Sequence, residues 1–493
     1  MSSSDFTHLP GPLNSGINAV ADGIGFPPDQ IVLLGCLLLS IGISFWFRTL
    51  NNGTIRLYTS LGLGLGLTYI LQGPWNTMVV LLVSVMNYLF VVLFPYRPSI
   101  VAINSMAVLS AFHLWRMKVD YLGWKLDVTL PLMIFTAKYA TFAYDCYDGR
   151  LLNEGKPLST KKHEQEYRLN NCLQQTPDIV SYLSYIFGFF GALTGPVFFC
   201  REYLDWVYLR GCFSELSHIS TVPPTLKALA KCAGCGIIML IANTYIPVST
   251  VTSSWFLNLP FLIRVPLLCV TVSSYRSKFF FCWYLCEAVG DACGFGLSDP
   301  KTRTFKRAEN GDYFHVEFAL NAPEALNNWN TRVAEWLKYY VYQRVTKPSF
   351  ITFMSSKDFA TLITRTISAF WHGFYPGYYL FFLCTILEST ADSLGRHLIG
   401  PMFYGDNAPY AKLYPLYAFF AWAQTFFSLN YYGTGQVMLE FGTTIAVWRS
   451  VYFVGHIWHI MVIVLLPRLV RKPKRKINGE EGKVEMKKQV KAE

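Results

Sequence analysis

Residues 368–382 read SAFWHGFYPGYYLFF, which places His372 inside an apolar, aromatic run long enough to sit in lipid. A charged side chain near the centre of a bilayer helix costs about 2.5 kcal/mol or more, so an intramembrane histidine is first a hypothesis about function. The alternative is a histidine that merely hydrogen-bonds a neighbouring helix. Spacing separates the two. Thr361, Arg365, Ser368 and His372 follow at intervals of four, three and four, and Tyr379 lies seven further on. Those intervals predict one side of a helix. A polar stripe of that length is unfavourable against lipid but suits a wet internal cavity. Gly373, Pro376 and Gly377 then loosen the helix just past the histidine, a floor for a reaction chamber.

A second polar group stands upstream. Asn321-Ala-Pro-Glu324 reads as a helix start, with an Asn cap, Glu three positions on and Pro in the first turn. Leu326, Trp329, Val333, Trp336, Leu337 and Tyr340 continue at helical spacing, and Asn330 falls on the edge of that buried face. A buried amide needs partners or costs about 1–3 kcal/mol, so Asn330 either ties helices together or serves a site. A neutral imidazole is a competent general base, and an amide N–H stabilises an oxyanion or orients a hydroxyl. Base plus oxyanion donor, with no metal-ligand cluster, points to direct acyl transfer onto a substrate hydroxyl. A substrate reached from within the bilayer is itself lipidic. Ser368, one turn before His372, is the nearest rival nucleophile.

The elements around these residues read as membrane helices. The chain has 493 residues, 52% hydrophobic and 16% aromatic. Apolar stretches recur at 31–47, 75–94, 100–115, 128–143, 180–199, 229–246, 256–272, 362–387 and 447–466, with weaker ones at 57–71, 279–288 and 413–429. Several approach the roughly 20 residues that a spanning helix needs. The expectation is an all-α polytopic membrane protein with about ten to twelve transmembrane helices. Two polar connections interrupt them, 147–178 and 275–357. The division is a polar segment 1–28, a transmembrane catalytic domain 29–467 and a basic tail 468–493.

Charge and small motifs narrow the class. The net charge is +11, and residues 468–493 hold ten Lys/Arg against four Asp/Glu. The positive-inside rule predicts a cytoplasmic tail, and its basic run attracts anionic headgroups at about 1 kcal/mol per residue. Without a stacking platform, nucleic acid is not the expected partner; the lipid bilayer is. The first 28 residues hold no Lys or Arg, unlike a cleaved signal peptide, so the first span is expected to stay. Cys232 and Cys235 form a lone CxxC in an apolar segment, which favours packing over a metal. Gly62 and Gly66 have the four-residue spacing that lets membrane helices approach. Asn52 heads a formal glycosylation sequon that is expected to go unused.

The segments NNWNTRVAEWLKYYVYQR (327–344) and SAFWHGFYPGYY (368–379) resemble the two signatures of the membrane-bound O-acyltransferases, specifically their lysophospholipid acyltransferase branch. FHVEFALNAPEAL (314–326) is similar to the lead-in of the first signature, and GALTGPVFFCREYLDW (191–206) to the family's Gly-Pro segment at Gly195 and Pro196. Sterol and diacylglycerol branches carry an FYxDWWN-type segment where this chain has ALNNWN. The resemblance implies a many-helix fold around a chamber in the endoplasmic reticulum membrane. Acyl-CoA enters as co-substrate from the cytosol and a lysophospholipid from the bilayer; no bound cofactor or metal is implied. It puts the catalytic histidine at His372 and the catalytic asparagine at Asn330. The acceptor headgroup is expected to be choline or ethanolamine, with inositol or serine as alternatives and a lipid transporter as the non-enzymatic rival. Arg332, Lys338, Arg344 and Arg365 are candidates for CoA phosphates. Trp329, Trp336, Trp371, Tyr378 and Tyr379 are expected to shape walls.

Overall fold

The computed structural model describes residues 8–123, 125–405 and 408–470. The described residues are mostly helical. The exception to the all-α expectation is a short antiparallel hairpin, Leu297–Asp299 against Thr304–Phe305. The basic tail beyond residue 470 lies outside the described residues.

Among the described residues, four helices are long and apolar enough to cross a membrane: Pro28–Phe47, Gly53–Leu93, Pro98–Val119 and Val222–Thr252. Phe441–Ser450 and Val454–Leu469, bent by 74° at their junction, make a fifth if they form one span. The sequence pattern suggests ten to twelve, and two physical reasons explain the difference. The 57–71 and 75–94 runs are counted once, as the two helical halves of Gly53–Leu93, although the backbone breaks between them at Gly73 (φ 76°, ψ 173°) before Pro74. The 279–288 run continues Phe261–Ala292, so the second polar connection begins after Ala292 rather than at Tyr275. Other helices bury ionisable side chains that lower their hydropathy: Thr129–Asn153 buries Lys138, Asp145 and Asp148, and Pro376–Leu398 buries Glu388.

Lys138 shows how such a charge is held without a carboxylate. Its ammonium donates to the carbonyls of Tyr185 and Ile186 at 3.1 and 2.9 Å, at the end of the Ile179–Ile186 helix. Helix C-terminal carbonyls are orphan acceptors and attract cations. The Phe198 ring covers the same ammonium, 3.6 Å from the ring centroid.

Close packing also corrects the glycine expectation. A Cβ on Gly64 would lie 1.6 Å from the Phe187 carbonyl oxygen, whereas Gly62 and Gly66 meet nothing within 4 Å. Gly64 is the close-approach residue, because the helix turns that face inward. Asn52 caps the start of Gly53–Leu93, its side-chain oxygen accepting from Ile55 N at 3.1 Å.

Candidate active site

Two helices joined by three residues carry the histidine. Ser355 caps the first, Ser356–His372, its hydroxyl accepting from Asp358 N at 3.1 Å. The sequence pattern likewise puts the start near Ser355–Asp358. The helix ends on His372 itself, since Gly373 takes φ 122°, ψ −163°, a region open to glycine and strained for other residues. A Cβ there would also press on the His113 ring at 3.3 Å. Pro376 opens the next helix, Pro376–Leu398, in its first turn. His372 therefore sits at the tip of an antiparallel helix pair.

Tyr379 consequently leaves the stripe on which continuous helical spacing would put it. Tyr378 packs on the imidazole instead, with centroids 5.3 Å apart, and Phe382 stacks on it at 5.3 Å. Trp371 stands edge-on at 4.8 Å. Among the described residues no group hydrogen-bonds the His372 ring nitrogens. Three aromatic rings thus pack around an imidazole whose nitrogens carry no hydrogen bond among the described residues. Ser368 is buried, yet unlike Thr361 and Thr364 its hydroxyl makes no bond to the preceding turn.

His113 was not among the sequence candidates. It projects from Pro98–Val119, and its Nε2 meets the Trp371 carbonyl at 3.2 Å, anchoring the backbone beside His372. The signal was available: it is a lone histidine in the 100–115 apolar run.

The asparagine segment departs from expectation. One helix was expected from Asn321 through Tyr340; the chain breaks it. Asn321 caps Ala322–Asn327, its side-chain oxygen accepting from Glu324 N at 2.9 Å, while Glu324 accepts from Leu320 N at 2.9 Å. The backbone then bridges Trp329 to Gly311, and Asp312 N donates to Asn328 O at 3.0 Å. Asn330 takes the left-handed conformation, φ 45°, ψ 53°, and starts Thr331–Trp336. Asparagine tolerates that region better than most residues. Its side-chain amide makes no hydrogen bond among the described residues, so the helix-tying alternative lacks its bonds. Asn310 holds the turn from below, its carbonyl accepting from Thr331 N at 2.9 Å.

Tryptophans join the two segments. Trp336 and Trp371, both buried, lie 5.8 Å apart between centroids, and the Trp371 indole donates to Met133 O at 2.8 Å. Trp329 packs edge-on to Trp283 at 4.9 Å and shares an apolar cleft with Phe381 and Val437.

Two of the cations proposed for phosphates are already committed. Arg332 pairs with Glu202 and with Glu335 (2.8 Å), and its Nε donates to Val197 O at 3.0 Å. Val197 follows Gly195 and Pro196, joined by a cis peptide, so this arginine fastens the Gly-Pro segment to the asparagine's helix. Arg344 grips buried Asp148 with both terminal nitrogens, at 3.1 and 2.6 Å. Buried charges need such partners, which is why these arginines hold helices together. Lys338 lies 4.9 Å from the Tyr339 ring centroid.

An imidazole and an amide without hydrogen bonds among the described residues stand on two helix breaks, and the Trp336–Trp371 pair ties those segments together. A family model described as "MBOAT, membrane-bound O-acyltransferase family" matches residues 98–434, which include both breaks. The chain belongs to the membrane-bound O-acyltransferase family. Relatives extend the match over nearly all of this acyltransferase. It is 28% identical to membrane-bound glycerophospholipid O-acyltransferase 1 of Homo sapiens, over 92% of each chain. It is 28% identical to lysophospholipid acyltransferase 2 of Arabidopsis thaliana, over 93% of this chain and 97% of that one. It is also 28% identical to the lysophospholipid acyltransferase of Schizosaccharomyces pombe, over 91% and 88%.

Proposed function

We propose that this membrane-bound O-acyltransferase transfers a fatty acyl chain from acyl-CoA to the free hydroxyl, usually sn-2, of a lysophospholipid. The names of its relatives support that substrate class. The observation that carries the mechanism is the pair of unbonded side chains, His372 and Asn330. His372 takes the hydroxyl proton as the oxygen attacks the thioester carbonyl. The Asn330 amide N–H stabilises the oxyanion that develops there. Collapse breaks the C–S bond, and the proton on His372 passes to the departing CoA sulfur. Trp371, Tyr378 and Phe382 keep the imidazole oriented.

The reaction belongs to phospholipid remodelling in the endoplasmic reticulum membrane. It takes place in a chamber inside a multi-pass fold, with CoA leaving to the cytosol and the tail 468–493 on that side. The purified protein, given labelled acyl-CoA and a panel of lysophospholipids, should form labelled diacyl phospholipid and free CoA in equal amounts. Absence of product with every lysophospholipid overturns the reading.

A further inference from the structure

His372 is the last residue of its helix, so the carbonyls of the final turn need partners from elsewhere. Gly373 N serves Ala369 O and Phe370 O, both at 3.2 Å. Among the described residues no backbone N–H outside the helix reaches Trp371 O. His113 meets that oxygen instead, its Nε2 at 3.2 Å. A carbonyl only accepts, so this Nε2 carries the hydrogen. Both residues are buried, and a buried acceptor left without its donor is costly. Glycine at 373 makes the approach possible, since a Cβ there would stand 3.3 Å from His113 Cγ and Nδ1.

The segment that follows His113 holds the far side of the same turn. Just past Pro98–Val119, Leu122 N donates to the Tyr375 hydroxyl at 2.8 Å, and Tyr121 packs on the Tyr375 ring with centroids 5.6 Å apart. Arg116 ties this loop down through Gly123 O at 2.8 Å and Thr129 Oγ1 at 3.3 Å. Gly377 N donates to Leu439 O at 2.7 Å. The turn is therefore pinned at 371, 375 and 377, and His372 lies beside the first pin. Its imidazole, with no hydrogen bond of its own among the described residues, takes its direction from that backbone and from the rings around it.

We infer that His113 is a positioning residue for acyl transfer: its Nε2–H fixes the Trp371 carbonyl and thereby aims the His372 imidazole at the substrate hydroxyl. The inference rests on His372 as the base of the proposed reaction. His113 acts through the backbone, because Nε2 is committed to Trp371 O and Nδ1 lies against Gly373. Rate depends steeply on such alignment, a misplacement of about 1 Å costing about 10²-fold. With the pins at 375 and 377 intact, loss of this one bond loosens the residues beside the base without releasing the turn.

The test compares His113→Phe, which keeps a ring and drops the donor, with His113→Gln, whose amide N–H reaches the place of Nε2. The Phe variant should lose about 10–10²-fold in kcat, with KM for acyl-CoA and for the lysophospholipid within about twofold of wild type. The Gln variant should return to within about threefold of the wild-type kcat. A wild-type kcat in the Phe variant overturns the inference, and so does an equal loss in both variants, which marks a packing role. If the Phe variant does not fold, His113→Asn replaces it. Its shorter side chain stops at the position of Nδ1, so Gln should outpace Asn by about tenfold, and equal rates overturn the inference. His372→Ala, assayed alongside, separates the two levels: full activity there removes the base and the reading beneath, whereas full activity in the Phe variant beside an inactive His372→Ala removes only the role of His113.

Discussion

At the scale of the residue, the site turns on side chains left without partners. Asn330 holds a left-handed backbone and an idle amide, which gives a clean test. Asn330→Gly keeps the conformation, because glycine enters that region freely, and deletes only the amide. Turnover should drop on the order of 10²–10³-fold, the usual worth of one oxyanion donor, with the thermal transition little changed. A full rate in the glycine variant would return Asn330 to a backbone role. Nucleophilic rivals are weaker. Cys384 lies on the helix after the turn, with its Sγ 3.5 Å from His456 Nε2. Ser368 keeps a free hydroxyl one turn from His372 and is the residue to watch. Direct transfer predicts that intact-protein mass spectrometry after labelled acyl-CoA, without acceptor, finds no acyl adduct. An adduct on Ser368 with a burst of free CoA would replace the mechanism with a covalent one.

At the scale of the element, caps and stripes were legible and breaks were not. Ser355 and Asn321 start their helices where their side-chain oxygens predict. The Asn330 break was hidden because Trp329, Val333 and Trp336 keep helical spacing across it, while the bridge to Gly311 that causes it comes from tertiary pairing. The polar stripe that singles out His372 was legible in the spacing of Thr361, Arg365 and Ser368. The span counts differ for a related reason, because hydropathy does not distinguish a lipid-facing helix from one whose charges are met by neighbours, as Lys138 is. Glycine roles were misassigned by spacing alone. Gly64→Ala places a methyl 1.6 Å from the Phe187 carbonyl and should cost at least the upper end of the about 1–3 kcal/mol typical of overpacking. Gly62→Ala, with open space around it, should leave thermal unfolding in detergent unchanged. Equal effects of the two substitutions would reject the assigned packing face.

At the scale of the whole molecule, the family match covers residues 98–434 and stops short of the basic end. The last described helix runs to Leu469, so a truncation after Val470 preserves it, whereas one after Leu466 would cut it. The shorter chain should retain turnover in detergent and lose affinity for anionic vesicles, at about 1 kcal/mol per basic residue removed from the surface. An inactive, well-folded truncate would place the tail in the reaction. The central claim is that one imidazole at the tip of a helix pair drives acyl transfer to a lipid hydroxyl. The most direct measurement is acyl transfer from labelled acyl-CoA to a lysophospholipid by wild type and His372→Ala, purified side by side and matched for thermal unfolding. The account predicts a loss of about 10²–10⁴-fold, the worth of a positioned general base. A variant that turns over at the wild-type rate would contradict it.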